Sequence, residues 1–197
     1  EWTTIIFFAG LFIMIHGLEF MGLIDAIADG ISDTIKQADE SNRLMVAVLL
    51  LLWVSAIASA FIDNIPYTAT MVPVVIELAS NPELGLALGP LAWALALGAC
   101  LGGNGTIIGA SANVVAAGLA EEAGYDISFN RFFKTGFPIM ILTVTLATAY
   151  CVVRYAIEWS NDVIPMAIIV AMMLASLALT PMIYGPAPSS PPDFELE

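Results

Sequence analysis

Histidine occurs once, at His16, cysteine twice, at Cys100 and Cys151, and lysine plus arginine only five times in 197 residues. One imidazole and two separated thiols supply neither a zinc-type ligand set nor a disulfide framework. Both cysteines fall in apolar runs and read as buried small hydrophobes. The shortage of base against 18 acidic residues leaves a formal net charge of −13, which excludes nucleic-acid binding and basic docking on anionic lipid. Charged residues of either sign make up 12% of the chain, too few to clothe a soluble domain of this size. No Gly-rich run ends in the Lys-Ser/Thr pair of a phosphate-binding loop, and none has the strand-first context of a dinucleotide fingerprint.

What is abundant is apolar. Hydrophobic residues reach 59% and the mean hydropathy is +0.90, so the sequence predicts an all-α, polytopic integral membrane protein whose main partner is the lipid bilayer. A membrane transport domain is expected over 1–184 and a disordered Pro-rich acidic tail over 185–197. Thr3 to Ile24 is the first span, with Trp2 as an interfacial anchor. A polar stretch from Asp25 to Arg43 carries a short amphipathic surface helix around Ile27 to Ile35. Residues Ile127 to Lys134, with Phe129, Phe132 and Phe133 beside Arg131 and Lys134, form an interfacial segment ahead of a span from Pro138 to Val153. A last span follows from Val163 to Tyr184.

The most informative stretch is Gly102-Gly-Asn-Gly-Thr-Ile-Ile-Gly-Ala-Ser-Ala-Asn113. Its apolar arms, Pro90 to Leu101 and Val114 to Leu119, are each too short to cross a bilayer core of roughly 30 Å, although together with the centre they suffice. The centre then lies at mid-membrane with four glycines, two asparagines, a threonine and a serine. Close helix packing accounts for the glycines. It does not account for the amides and hydroxyls, which are costly in hydrocarbon unless partnered. The stretch therefore predicts a broken helix whose unwound backbone lines a polar site, with Gly103, Asn104, Gly105, Thr106, Ser111 and Asn113 as substrate or ion contacts.

A second polar break interrupts the apolar run from Leu44: Asp63-Asn-Ile-Pro-Tyr-Thr-Ala-Thr70, followed by a shorter arm from Met71 to Leu78. As a tight exposed turn, Asp-Asn-x-Pro is ordinary chemistry. As the tip of a re-entrant hairpin, it places Asp63, Asn64 and Thr68, with carbonyls freed by Pro66, at a cation site; Na+ at Asp63, Asn64 and Asn104, or H+, is the expected coupling ion. His16 and Glu19, one helical turn apart, are a further relay candidate, opposed by interfacial solvation. A distant alternative from another class makes Ser111 a nucleophile and His16 its base in an intramembrane hydrolase; no enzymatic activity is the favoured expectation.

The runs Asp63 to Pro73 and Gly98 to Val115, with Phe132-Phe133 and Gly136-Phe-Pro138, closely resemble the C-terminal half of the P-protein (pink-eyed dilution) type in the ion transporter superfamily, with its citrate-transporter-like, arsenite-pump and sodium/proton-antiporter members. The likeness covers about Glu1 to Val153. It implies an inverted-repeat carrier in which each half supplies one re-entrant hairpin and one broken helix, here Asp63 to Pro66 and Gly102 to Asn113. Carboxylate-transporting relatives carry Ser-Asn-Thr at the hairpin tip, where this chain has Asp63-Asn64-Ile65-Pro66. The function implied is ion-coupled transport of a small anion or inorganic ion, with an anion-selective channel of the same fold as the alternative and no resident cofactor. Only one copy of each motif is present, so an N-terminal half is an expected partner, and a homodimer is another.

Overall fold

The computed structural model describes residues 20–125 and 127–156, with residues 6, 9, 10, 13, 14, 16 and 17 before them, all within one compact unit, Glu1–Glu158. The expected last span and the acidic tail lie outside the described residues. Among these residues every regular element is helical: α1 (Leu23–Lys36), a 3-10 turn (Glu40–Asn42), α2 (Arg43–Ser59), α3 (Asn64–Ser80), α4 (Leu88–Gly102), α5 (Ser111–Glu122) and α6 (Phe129–Ala156).

Two helices, Glu40–Ser59 and Phe129–Tyr155, are long and apolar enough to cross a membrane by length and composition. At 1.5 Å per residue, the 15-residue α4 is about 22 Å long and the 12-residue α5 about 18 Å. Neither crosses alone, as expected for the two arms of a broken helix.

The surface helix is longer than the Ile27–Ile35 piece. It starts at Leu23 because Gly22, at φ 73°, turns the chain in the left-handed region that glycine tolerates. The arm after Asp63 is also longer than Met71–Leu78. It is a 17-residue helix, as long as α2, because Asp63 caps it and Pro66 stands in its first turn, where a missing N–H costs nothing. Pro66 thus frees no helical carbonyl; its own carbonyl accepts from Thr70 Oγ1 at 2.9 Å. Pro73, inside the helix, is the proline that leaves a carbonyl without its i+4 donor. The aromatic segment expected at the interface is the opening of α6, where Phe129, Phe133 and Phe137 stack one helical turn apart at 6.1 and 4.8 Å.

The core lies where α4 crosses α2, with α6 against both and α3 on the other side of α4. Leu51, Leu52, Leu91, Met140 and Val144 are fully buried there. The close approach depends on small residues. A Cβ on Gly98 would lie 2.4 Å from the Leu52 carbonyl oxygen, and one on Gly102 would lie 2.3 Å from that of Ala56. Ser59 Oγ ties the same pair by donating to the Ala99 carbonyl at 2.7 Å, and Tyr67 OH donates to Ser55 Oγ at 3.2 Å. Helix α5 contributes no buried residue, and its Val114, Val115 and Leu119 are exposed. Cys151 is buried as expected, whereas Cys100 faces out of the bundle.

Candidate functional site

The two polar breaks, distant in sequence, meet in space. Asp63 follows the C-terminal end of α2 and is the N-cap of α3; its Oδ1 accepts from the Ile65 backbone N–H at 3.0 Å. Its other carboxylate oxygen, Oδ2, accepts a hydrogen bond from Ser111 Oγ, and Ser111 is the first residue of α5. One carboxylate is therefore held at the N-terminal ends of two helices, both of which carry positive partial charge. A hydrogen bond to an ionised acceptor is about twice as strong as a neutral one. The arrangement anchors the start of α5 to the turn before α3.

The broken helix unwinds over residues 103–110, between the last residue of α4 and the first of α5. Its end is still coiled by turns: the N–H groups of Gly103, Asn104 and Gly105 donate to the carbonyls of Ala99, Leu101 and Gly102. Beyond that, side chains supplement single backbone turns such as Gly109 N–H to the Thr106 carbonyl at 3.2 Å. Thr106 is fully buried and its Oγ1 donates to the Ala60 carbonyl, just past the end of α2. Asn113 donates from Nδ2 to the carbonyls of Gly103 at 2.8 Å and Thr106 at 3.1 Å, bridging the break. An unpaired buried carbonyl would cost a large part of a hydrogen bond; the asparagine gives the Gly103 carbonyl a partner and the Thr106 carbonyl, which also accepts from Gly109 N–H, a second one.

The glycines here are closely packed. A Cβ on Gly103 would sit 3.0 Å from the Gly109 carbonyl oxygen, and one on Gly105 would sit 2.9 Å from Ala60 Cβ. A Cβ on Gly109, a position absent from the expected contacts, would come within 3.0 Å of three carbonyl oxygens, those of Gly103, Ser59 and Ala60. The signal for it in the sequence is its place as the fourth glycine of the run.

Other expected contacts are not gathered at Asp63. Asn104 is exposed and lines a cavity of about 540 Å³ with Tyr125, Arg131, Phe132, Thr135 and Gly136, at the opening of α6. Neither Asp63 nor Asn64 is among its lining residues. Thr68 lines a separate apolar groove of about 270 Å³ between α3 and α4, with Val72, Leu88 and Leu95. Five residues beyond Asp63 on a helix, it has turned about 140° away from the cap. Asn64 is half-buried in the first turn of α3. Among the described residues, no group of three or more His, Cys, Asp or Glu side chains forms a metal cluster. His16 is exposed on its helix, and Glu19 lies outside the described residues. The hydroxyl of Ser111 is engaged by Asp63, the opposite of a serine poised against a histidine base.

Residues 1–98 match the citrate transporter family. The chain is 50% identical over 161 residues to the human P protein, covering 82% of this chain and 19% of that protein. It is 43% identical over 155 residues to an uncharacterized transporter of Mycobacterium bovis (79% of this chain, 35% of the relative). It is 41% identical over 157 residues to a 46 kDa membrane protein of Mycobacterium leprae (80% and 35%). The chain thus spans about a fifth to a third of the length of these relatives. No solved structure matches it significantly. The two mycobacterial relatives bear the names of a transporter and a membrane protein, in keeping with a multi-pass integral membrane protein. Across the residues these matches cover, the chain is a P-protein-type sequence of the ion transporter superfamily.

Proposed function

We propose that this chain carries one half of the site of an ion-coupled secondary transporter for a small anion or inorganic ion. The observation that carries the reading is the hydrogen bond between Ser111 and Asp63, 48 residues apart and each at the start of a helix, α5 and α3. Two helix N-termini converging at mid-membrane offer positive ends to an anion, and a carboxylate between them offers a counter-charge to Na+ or H+. Loss or gain of that cation changes the charge at the junction of both breaks, which is how ion flow would be tied to rearrangement. In this reading Asp63 and Ser111 form the coupling contact, Asn113 and Thr106 hold the unwound backbone, and Asn104 reaches substrate from the neighbouring cavity.

Helix α5, with no buried residue and an exposed apolar face, fits a second half of the transporter packed beside it. A re-entrant hairpin formed by α2 and α3 belongs to the same proposal. The experiment is flux into liposomes containing the full-length transporter, with pH and Na+ gradients imposed independently and Asp63→Asn compared with wild type. Asparagine keeps the cap and removes the charge. Flux that loses its gradient dependence supports the reading, and unchanged gradient dependence refutes it.

A further inference from the structure

Helix α1 packs against α3; α1 carries Asp25, Asp29 and Asp33 at four-residue spacing, and α3 carries Glu77 near its C-terminal end. The Glu77 carboxyl is pushed above the usual carboxylate range, first by desolvation and then by the charges of Asp25 and Asp29. Asp33, in contrast, shares the field of Lys36, which is ion-paired to Glu83 at 2.6 Å and also feels Asp29. Between Asp29 and Glu77, both exposed, is a small open space of about 20 Å³, lined also by Ser32 and Asn81. That is room for a single water-sized occupant.

Ser32 is the informative residue. Only 5% of its surface is accessible, and its Oγ has no protein partner. Thr34, two residues on, bonds back to the Gly30 carbonyl at 3.0 Å, so Ser32 has forgone an equivalent bond that its helix offers. An unsatisfied buried hydroxyl is destabilising unless the space it faces holds a partner. Asn81 adds an oxygen whose geometry is already fixed: Oδ1 accepts from Glu83 N at 3.0 Å, while its carbonyl is taken by Leu84 N at 3.2 Å and Gly85 N at 3.4 Å.

We propose that this space is a site for one hard divalent cation, with Ca2+ as the fitting class, which clamps the surface helix α1 to the end of α3. The ligands are the Asp29 and Glu77 carboxylates, the Ser32 hydroxyl and an Asn81 oxygen, with water completing the shell. All are oxygens, and Ca2+ accepts irregular sets of six to eight. Only two of the ligands are charged, which puts the affinity in the weak class, with Kd on the order of 0.1–1 mM. Repulsion between Glu77 and the α1 acids is then relieved by the ion.

The test is a Ca2+ titration of the full-length protein in detergent, reading thermal stability and equilibrium 45Ca2+ binding, with excess Mg2+ in every sample. Wild type is expected to bind and to gain stability with a midpoint on the order of 0.1–1 mM. In Asp29→Asn with Glu77→Gln, both effects should vanish, while stability without Ca2+ rises because the repulsion is gone. Ser32→Ala, a change of one atom that leaves the helix intact, should weaken binding several-fold. Wild type indifferent to Ca2+ up to about ten times the expected Kd, as a trapped water would give, overturns the site, as does identical binding in the double variant. Binding and stability are read without any flux measurement, so failure of the cation site and failure of the transport reading are distinguishable.

Discussion

Gly102→Ala tests the core packing and the placement of the break at once. The added methyl would lie 2.3 Å from the Ala56 carbonyl oxygen, 2.7 Å from its Cα and 2.8 Å from its carbonyl carbon, all backbone atoms of α2. Favourable carbon contacts begin near 3.5 Å, so α4 and α2 must separate by about 1 Å at this level. No side-chain rotation relieves the clash. Over-packing of this kind costs about 1–3 kcal/mol, and the gain from replacing glycine in a helix, at most about 1 kcal/mol, is small at a terminal residue. Separation would also lengthen the Ser59 to Ala99 bond and displace the Thr106 to Ala60 contact that seats the break. Gly118→Ala is the matched control, because nothing lies within 4 Å of a Cβ there in the interior of α5. The expected result, by reversible unfolding of the full-length protein in mixed detergent, is a loss of about 1–3 kcal/mol for Gly102→Ala. Gly118→Ala should be neutral or up to about 1 kcal/mol more stable, and liposome flux should fall only in the first. Equal stability in the two variants would show that the α2–α4 approach is looser than the geometry states.

Gly103→Leu should abolish flux while membrane insertion, followed by protease protection, survives, because a side chain cannot enter beside the Gly109 carbonyl. Thr148→Val removes the acceptor 3.0 Å from Trp53 Nε1 on α2 and should cost about 1 kcal/mol of stability, read by the same unfolding assay. Lys36 and Glu83 pair at the surface, and each is shifted first by its hydrogen bond to the other, Lys36 upward and Glu83 downward. Glu83's contribution is therefore present above the usual carboxylate range and lost as pH falls through its depressed value; that of Lys36 is present below the usual lysine range and lost as pH rises through its raised value. Glu83→Gln should flatten both limbs of a stability profile against pH, and about 1 M NaCl should mimic it.

How much of this is legible in the sequence depends on the range of the interaction. The break at 103–110 is plain because its signal is local: four glycines with amide and hydroxyl side chains at the centre of a run otherwise long enough to span. The length of the helix after Asp63 is harder to read, because Pro66 suggests free carbonyls, whereas the first turn of a helix absorbs a proline without loss. The aromatic opening of α6 is legible as a mixture of Phe and base, but that Phe129, Phe133 and Phe137 stack along one face depends on the helix running on through Pro138. The content of the site is of another kind. Asp63, Thr106, Ser111 and Asn113 each stand out by type and position, yet no spacing rule states that Ser111 donates to Asp63, that Thr106 donates to the Ala60 carbonyl, or that Asn104 faces a different cavity. Those pairings are set by how α4 crosses α2. That crossing rests on glycines, whose role is the absence of a side chain opposite a particular carbonyl, and a sequence records the absence without the carbonyl. Once Gly98 and Gly102 bring α4 onto Leu52 and Ala56, the unwound segment is carried to Ala60 and Asp63. The polar contact of the two breaks is thus a consequence of an apolar fit about one helical turn away.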